Sequence, residues 1–320
     1  MLKYALKRIL WLIPVIICVS FLIYALMDLA PGTVIDSMIN ENTTPEEYEA
    51  LMKKYDLDKP MYYRYGKYMW NLLHGDLGKS EISGLSVFQQ FITRFPNTAL
   101  LAFTGLIIGM LIAIPLGIYS AKHASSIGDN LATGFSLIGL SVPAFWLCLL
   151  LIIWFSHKIQ LFPSNGFKSW KSIVLPAISN GLAVSATLMR QTRSAMLEVS
   201  RQDYLRTARA KGCSEKEVTK RHALRNAWIP IITSLGNTLS HTLAGSAVVE
   251  TVFTWPGVGK LTVEAVSQRD TTMVCGCVIL TSIVYVLVLL ICDLIFALVD
   301  PRIKAQYVSG KKRNKRKAVA

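Results

Sequence analysis

The stretch Phe95–Ala121 reads FPNTALLAFTGLIIGMLIAIPLGIYSA and contains no Asp, Glu, Lys or Arg. A helix needs about 20 apolar residues to cross a hydrocarbon core of about 30 Å, so this stretch is long enough to span a membrane. Blocks of the same kind recur along the chain, and they predict an all-α integral membrane protein with six transmembrane helices. The predicted spans are Ile9–Met27, Phe95–Ala121, Asn130–His157, Ser172–Met189, Asn226–Val249 and Thr271–Cys292.

The composition agrees with a membrane protein. Charged residues make up 17% of the chain and hydrophobic residues 52%, whereas soluble proteins carry about 25% charge. The net charge of +14 fits nucleic-acid binding, anionic lipid or the positive-inside rule. With a cytoplasmic N-terminus and six alternating spans, roughly two thirds of the 34 Lys and Arg fall inside. We therefore predict that both termini are cytoplasmic, and no nucleic-acid partner is needed.

Two of the blocks need a further argument. The first follows three basic residues and resembles a signal peptide, but its apolar run exceeds the usual 7–15 residues or so, which favours an uncleaved span. Ser172–Met189 is the shortest block and is rich in Ala, Ser and Gly. Small residues let helices approach closely, so we predict that this span is packed inside the bundle.

The spans divide the chain into four parts. Residues 1–30 hold the first helix, and residues 31–94 form an extracytoplasmic segment. Residues 95–300 form a five-helix core that includes a cytoplasmic loop at 190–228. The tail, 301–320, is strongly basic and is predicted to lie in the cytoplasm, where it can touch anionic lipid.

The external segment is predicted to be helical. Thr44, Pro45 and Glu47 have the spacing of a capping box with proline in the first helical position. Two short helices, Glu46–Tyr55 and Met61–Leu73, are expected here. The segment either contacts a partner or covers the bundle, and the sequence leaves both open.

The cytoplasmic loop is predicted to contain two short helices separated by Gly212. Ser200 with Asp203, and Ser214 with Glu217, have capping-box spacing and open the first and the second helix.

One face of the first loop helix carries Leu205, Ala208 and Gly212, with basic residues beside it. A face of small residues suits close approach by another protein. An amphipathic helix lying on anionic lipid is the alternative.

The same loop resembles the cytoplasmic loop of ATP-binding-cassette importer permeases, E-A-A-x-x-x-G followed by I-x-L-P. Ala208 and Gly212 match this pattern, whereas Arg206 and Thr207 replace Glu and Ala. Residues 222–225, HALR, keep only the leucine of I-x-L-P.

These departures are similar to the dipeptide, oligopeptide and nickel branch of the family, and the likeness extends over almost the whole chain. The stretches that carry it are Asp203–Gly212, His222–Ala227, Leu29–Gly32, His74–Gly78, Ser141–Trp146, Val249–Gly257 and Asp300–Arg302.

The resemblance implies a type I ABC importer transmembrane domain in a bacterial cytoplasmic membrane. It implies a second homologous permease subunit, two ABC ATPase subunits that bind ATP and Mg, and an extracytoplasmic solute-binding protein. It also implies that the loop docks on the ATPase as a coupling helix. The coupling residues are then Tyr204, Leu205, Arg206, Thr207, Ala208, Arg209, Ala210, Lys211 and Gly212.

The fifth span carries a polar stripe at helical spacing, formed by Ser234, Asn237, Thr238 and His241. Polar residues inside spans mark either helix contacts or a path for solute. We predict that the stripe faces the translocation pathway, with interhelical contact as the alternative. Farther along, Glu250 and Asp293 are each placed to pair with a nearby arginine.

No catalytic or metal site is predicted for this chain. There is no G-x-x-x-x-G-K-[ST] for ATP, no H-E-x-x-H and no C-x-x-C, and residues 139–143 lack the closing glycine of a nucleophile elbow. A permease that relies on separate ATPases is expected, with an ATPase-independent secondary transporter as the alternative from a different class. Peptide is the first expected cargo and chelated nickel the second, while opines and glutathione stay open.

Overall fold

The computed structural model describes residues 2–39 and 43–299, and helices dominate these residues. The predicted basic tail lies outside the described residues. The α-helices in chain order are α1 (Leu2–Leu29), α2 (Pro45–Lys54), α3 (Met61–Leu73), α4 (Val87–Lys122), α5 (Ile127–Ser141), α6 (Ala144–Leu151), α7 (Val174–Ser200), α8 (Asp203–Ala210), α9 (Glu215–Glu217), α10 (Leu224–Gly245), α11 (Ala247–Val252), α12 (Val258–Ser267) and α13 (Thr271–Val299). The segments Ile152–Lys158 and Val218–Ala223 are π-helical, and Val34–Ser37 and Trp170–Ile173 are 3₁₀ turns.

Four described helices are long and apolar enough to cross a membrane. They coincide with the predicted first, second, fourth and sixth spans. The fourth span is the most buried, at 67% of its most apolar stretch against at most 33% for the other three, which confirms that it is packed inside. The four are Ala5–Leu29, Val87–Lys122, Trp170–Ser200 and Thr271–Ile295.

The predicted third span is not one continuous helix. It consists of α5 and of α6 with its π-helical extension, and the two parts are bent by 99° at Val142 and Pro143. Proline has no N–H to donate and holds the preceding residue in an extended conformation, as observed for Val142 (φ −73°, ψ 124°). The pair provides a fifth crossing only if both parts belong to one span.

The predicted fifth span also differs from expectation. The helix α10 ends at Gly245, and Val249 belongs to the separate helix α11. Although α10 is 22 residues long, its many Thr, Ser and Asn side chains lower its mean hydropathy, so it is not among the helices apolar enough to cross a membrane. The described residues therefore support four spans, or five with the bent pair, and six are not confirmed.

The close pair α4 and α7 forms the centre of the bundle. A Cβ added at Gly105 would lie 2.8 Å from Asn180 Cβ, and one at Gly109 would lie 2.5 Å from Val184 Cγ1. Glycines on α4 and Gly181 on α7 thus let the two backbones approach closely, as small residues do between helices in membranes. On this pair rest α5 and α10, and α13 joins α10 to α1.

The two acidic residues expected to pair with arginine behave differently. Asp293 forms an ion pair with Arg8 that joins α13 to α1, as predicted. Glu250 is buried and has no arginine partner among the described residues; Thr98 Oγ1 (2.8 Å) and the backbone N–H of Lys260 (3.0 Å) donate to it instead. The turn at Gly257 leaves room for the carboxylate, because a Cβ there would lie 2.3 Å from Glu250 Oε2.

The segment 31–94 forms the predicted helices, since α2 and α3 begin and end within one residue of the expected positions. The capping box is present: Glu47 N–H donates to Thr44 Oγ1 (3.3 Å) and Thr44 N–H donates to Glu47 Oε2 (3.0 Å).

The half-buried carboxyl of Glu81 links this segment to the first turn of α13 and makes the contact sensitive to pH. Thr272 Oγ1 donates to Glu81 Oε1 (2.8 Å), and burial raises the pKa of Glu81 from 4.5 to about 7. The folded state therefore holds this proton more tightly, so its contribution to stability is complete below about pH 4.5 and is lost as the pH rises through about 7. We expect Glu81→Gln to flatten the fall in unfolding temperature between about pH 5 and pH 8. An unchanged slope in detergent-solubilised protein would contradict this assignment.

Candidate functional site

The helix α8 is held by the chain's own core. Leu205 and Ala208 are buried and pack in one cluster with Met196 of α7, Val218 and Ala223. Leu205 and Ala208, two of the three residues on the face proposed from the sequence, therefore point inward, whereas Gly212 is exposed. The ends of the long helices next to α8 offer apolar surface that removes these two side chains from water, which helical spacing alone does not reveal.

The opposite side of α8 is free of contacts with the core. The side chains at its centre are all exposed, and we call this set of residues the α8 surface. The α8 surface is small and polar, with two basic residues and one small apolar residue, Ala210. The α8 surface comprises Asp203, Arg206, Thr207, Ala210 and Lys211.

Tyr204 lies at the edge of α8, where it is 40% exposed. It lines a shallow cavity together with Asn226 and Pro230 at the start of α10. Partial burial raises the pKa of Tyr204.

The helix α8 ends just before Gly212, as the sequence predicted. Gly212 adopts φ +84°, a left-handed conformation that glycine reaches without a steric cost. Its N–H donates to Arg209 O (2.9 Å), and Cys213 N–H donates to Ala208 O (3.2 Å), which satisfies carbonyls at the helix end.

Of the two helix caps predicted for the loop, one is present and the other is not. Ser214 caps the second helix by accepting from Glu217 N–H (3.4 Å), as expected. Ser200 does not cap α8, because it is the last residue of α7 and donates to Leu197 O (2.8 Å); Gln202 holds the cap position.

Arg209 turns away from the α8 surface and closes the loop. Its Nε donates to Glu215 Oε1 (2.7 Å), and the guanidinium holds the pKa of that carboxyl below its usual range. Both side chains are exposed, so the pair contributes little to stability and mainly fixes the turn between α8 and α9.

The chain that leaves α8 continues directly into the bundle. From Glu215 the helix passes through the π-helical turn Val218–Ala223 and into α10 without a break, whereas the sequence indicated a separate short helix. π-turns are rare and often occur at functional sites. Because α8 shares its core cluster with α4, α7 and α10, displacement of α8 displaces the nearby ends of these three long helices.

A buried ion pair at the same end was not predicted. Arg193 of α7 donates from Nε and Nη2 to the two carboxylate oxygens of Asp129, both at 2.7 Å. Ser125 N–H also donates to Asp129 (2.8 Å), and Ser120 of α4 donates through its hydroxyl. The network ties α4, α5 and α7 together. The sequence signal was an acid that directly precedes the third apolar block and a base four residues beyond the end of the fourth.

The predicted polar stripe on α10 is only partly exposed. Asn237 and His241 are exposed and Thr238 is half-buried, whereas Ser234 is buried, with a hydroxyl that has no partner among the described residues. The exposed stripe instead begins at Thr233, four residues before Asn237, which sequence reasoning missed although the spacing indicated it.

The ring of His241 lies edge-on to Tyr285 of α13, with ring centroids 5.7 Å apart. Among residues 2–39 and 43–299, no three His, Cys, Asp or Glu side chains form a group that could hold a metal.

Known families and relatives match nearly the whole chain. A model described as "Binding-protein-dependent transport system inner membrane component" matches residues 113–305, and the model of the N-terminal part of such components matches residues 1–102. The oligopeptide transport system permease protein AppB of Bacillus subtilis (strain 168) is 38% identical over 315 residues, with 95% of this chain and 100% of the relative covered. The dipeptide transport system permease protein DppB of Escherichia coli (strain K12) is 36% identical over 336 residues, with 95% and 99% covered.

A solved structure of similar fold supports the architecture. A chain of the MetNI methionine ABC transporter, in an inward-facing conformation, superposes with a TM-score of 0.56 at 18% identity. The superposition covers 67% of this chain and 97% of that chain, and at such low identity it concerns the fold alone. With both family models and nearly full-length relatives in agreement, the chain belongs to the inner membrane components of binding-protein-dependent transport systems and is an integral membrane permease.

Proposed function

We propose that the chain forms half of the translocation pathway of an ATP-driven importer for di- and oligopeptides. The observation that carries this proposal is the match over 95% of the chain to permeases named for oligopeptide and dipeptide transport. The family membership disfavours the secondary transporter considered from the sequence. Chelated nickel or another small solute is the second candidate cargo, because a permease of this architecture receives its solute from a separate binding protein.

We propose that the α8 surface docks on an ATPase subunit, which binds the ATP and Mg. The surface is exposed and polar, while the buried side of the same helix is fixed to α4, α7 and α10. A helix held in this way passes on the movement of whatever binds its free side. Of the nine residues assigned from the resemblance, Leu205 and Ala208 then serve to hold the helix, and the α8 surface makes the contact.

The proposed pathway runs along the exposed stripe of α10 formed by Thr233, Asn237 and His241, with Thr238 beside it. Polar side chains facing lipid are costly, so this face requires a polar neighbour. A pathway shared with a second, homologous permease subunit supplies one, and the amide of Asn237 offers hydrogen bonds to a peptide backbone. Ser234 is not part of the pathway, because its side chain is buried between helices.

The orientation follows from the distribution of charge. Both termini and the α8 surface lie in the cytoplasm, and residues 31–94 lie on the opposite side of a bacterial cytoplasmic membrane. The 95–300 core then meets two ATPase subunits inside, and a solute-binding protein approaches from outside.

The decisive experiment is purification of the tagged chain from its native membrane, followed by mass spectrometry. We compare the wild type with Ala210→Trp on the α8 surface and with Ala124→Trp in the exposed turn between α4 and α5 at the same end of the bundle. The wild type and Ala124→Trp are expected to retain two ATPases, a second permease and a binding protein. Ala210→Trp is expected to lose the ATPases and to keep the second permease, because the indole occupies the docking face.

Two outcomes would contradict the proposal. If the wild type brings down no ATPase, the importer assignment fails. If both tryptophan variants lose the ATPases equally, α8 is not the specific docking site.

A further inference from the structure

The external helix α3 packs against α1 well below the outer end of that span. The Tyr65 hydroxyl donates to the backbone carbonyl of Ile17 (3.1 Å) and lies 3.1 Å from Ser20 Oγ, and Met69 Sδ lies 3.7 Å from the same oxygen. Ile17 is the middle residue of the membrane-crossing segment Ala5–Leu29. With a rise of about 1.5 Å per residue, Ser20 lies about 14 Å along the helix from Leu29.

Aromatic contacts show that more than one side chain of α3 packs on this part of α1. The ring of Tyr65 contacts Phe21 and Tyr24 edge-on, with centroids 5.4 and 5.6 Å apart, and Tyr68 packs on Tyr24 at 5.9 Å. All of these partners lie below the outer end of α1. The helix α3 therefore crosses α1 beside the second half of the segment Ala5–Leu29 rather than beyond its end.

The surface of α3 divides into three sectors along its length. One sector, which contains Tyr65 and Tyr68, packs on α1 and α13. A second sector is polar and exposed, with Lys67, Asn71 and His74.

The third sector is apolar and exposed. Tyr62, Trp70 and Leu73 are 76%, 65% and 77% exposed, and Tyr63 lies at its border with the polar sector. At 100° per residue these side chains share one side of the helix, next to the sector that packs on α1.

The neighbouring helix α1 also exposes apolar side chains, with Phe21 and Leu22 51% and 57% exposed. The polar sector lies on a different side of the helix, and Lys67 there pairs with Asp56 of the same segment (2.6 Å). Helices with one apolar and one polar exposed side lie in the plane of a membrane, about 5–10 Å into the boundary between headgroups and acyl chains. Tyr and Trp are the residues that favour this boundary.

We propose that α3 is an in-plane membrane helix, with Tyr62, Trp70 and Leu73 inserted among the lipids of the outer leaflet. The segment 31–94 is then anchored in the bilayer and is not wholly extracytoplasmic, as the sequence suggested. The proposal rests on α1 crossing the membrane with its N-terminus in the cytoplasm, and it is independent of the cargo and of the ATPase contact.

Site-directed spin labelling of the full-length chain in proteoliposomes tests the proposal. The accessible native thiols, Cys18, Cys213 and Cys292, are replaced by serine, and a nitroxide is placed at Trp70→Cys or Leu73→Cys. Lys67→Cys and Asn71→Cys, on the polar sector of the same helix, are the matched controls. Collisions with oxygen, which concentrates in lipid, and with a water-soluble nickel chelate are measured at each site.

The expected result is an oxygen-to-nickel accessibility ratio several-fold higher at residues 70 and 73 than at residues 67 and 71. Equal ratios on both sectors would place the apolar sector in water and overturn the proposal. Low accessibility to both reagents at residues 70 and 73 would mean that protein covers this face, which also overturns it.

A fluorescence measurement needs no cysteine variants and therefore still tests the proposal when those variants do not fold. The protein has seven tryptophans, so the contribution of Trp70 is the difference in fluorescence between the wild type and Trp70→Phe. This difference is expected to be quenched by lipids brominated near the headgroup and to be insensitive to aqueous iodide. Quenching by iodide instead would refute insertion.

Discussion

Arg193→Ala is expected to lower the free energy of unfolding by about 1.5–3 kcal/mol and to reduce uptake strongly, since it removes two charge-assisted hydrogen bonds from a buried carboxylate. The side chain of Asp129 is only 3% exposed and would keep its charge with hydroxyl and backbone donors alone. The loss separates α5 from α4 and α7 at the end of the bundle that carries α8. Thermal unfolding of the detergent-solubilised chain and uptake by whole cells measure the two effects.

Matched variants distinguish the buried charge from the lost contact. Asp129→Asn is expected to be milder than Arg193→Ala, because the side chain of Arg193 is 29% exposed and reaches water when unpaired. The double variant Asp129→Asn with Arg193→Gln should recover part of the stability, since no charge is then buried. A double variant that is as unstable as Arg193→Ala would show that the buried charge is not the cause.

Gly109→Leu is expected to prevent the chain from folding in the membrane. The first carbon of the new side chain would lie 2.5 Å from Val184 Cγ1 and 3.1 Å from the backbone oxygen of Gly181. The backbone of α7 cannot move aside as a flexible side chain can. The loss of folding free energy is therefore expected to exceed the value of about 1–3 kcal/mol that is usual for overpacking. The amount of folded chain in the membrane, measured by fluorescence-detected gel filtration, should fall to background.

The control for Gly109→Leu is the same change at Gly134 of α5, where a Cβ meets no atom within 4 Å. Gly134→Leu should yield folded chain in amounts close to the wild type, and Gly109→Ala should lie between the two. Equal loss at both glycines would indicate that helix propensity or insertion, and not the contact between α4 and α7, is responsible.

Several elements were predictable because their signals are local. The Thr44 cap, the bounds of α3 and the glycine stop at Gly212 depend on residues a few positions apart, and the structure has all three. Long apolar blocks identified four spans for the same reason, since a helix in lipid satisfies its own backbone hydrogen bonds.

The errors arose where distant parts of the chain decide. The sequence showed that Leu205 and Ala208 share a face, but whether that face meets a partner or the inner ends of α4, α7 and α10 depends on the packing. Likewise, Ser234 belongs to the polar stripe by spacing, and the neighbouring helices bury it while leaving Thr233 exposed.

The sequence by itself determined that the chain is a helical membrane protein, where most of its spans lie and which family it resembles, because hydropathy and short motifs are local properties. The tertiary structure decided the bend at Pro143, the buried pair of Asp129 with Arg193, the exposed side of α8 and the depth of α3 beside Ile17. These depend on residues that are far apart in the chain and meet only when the helices pack, and burial is a property of that packing.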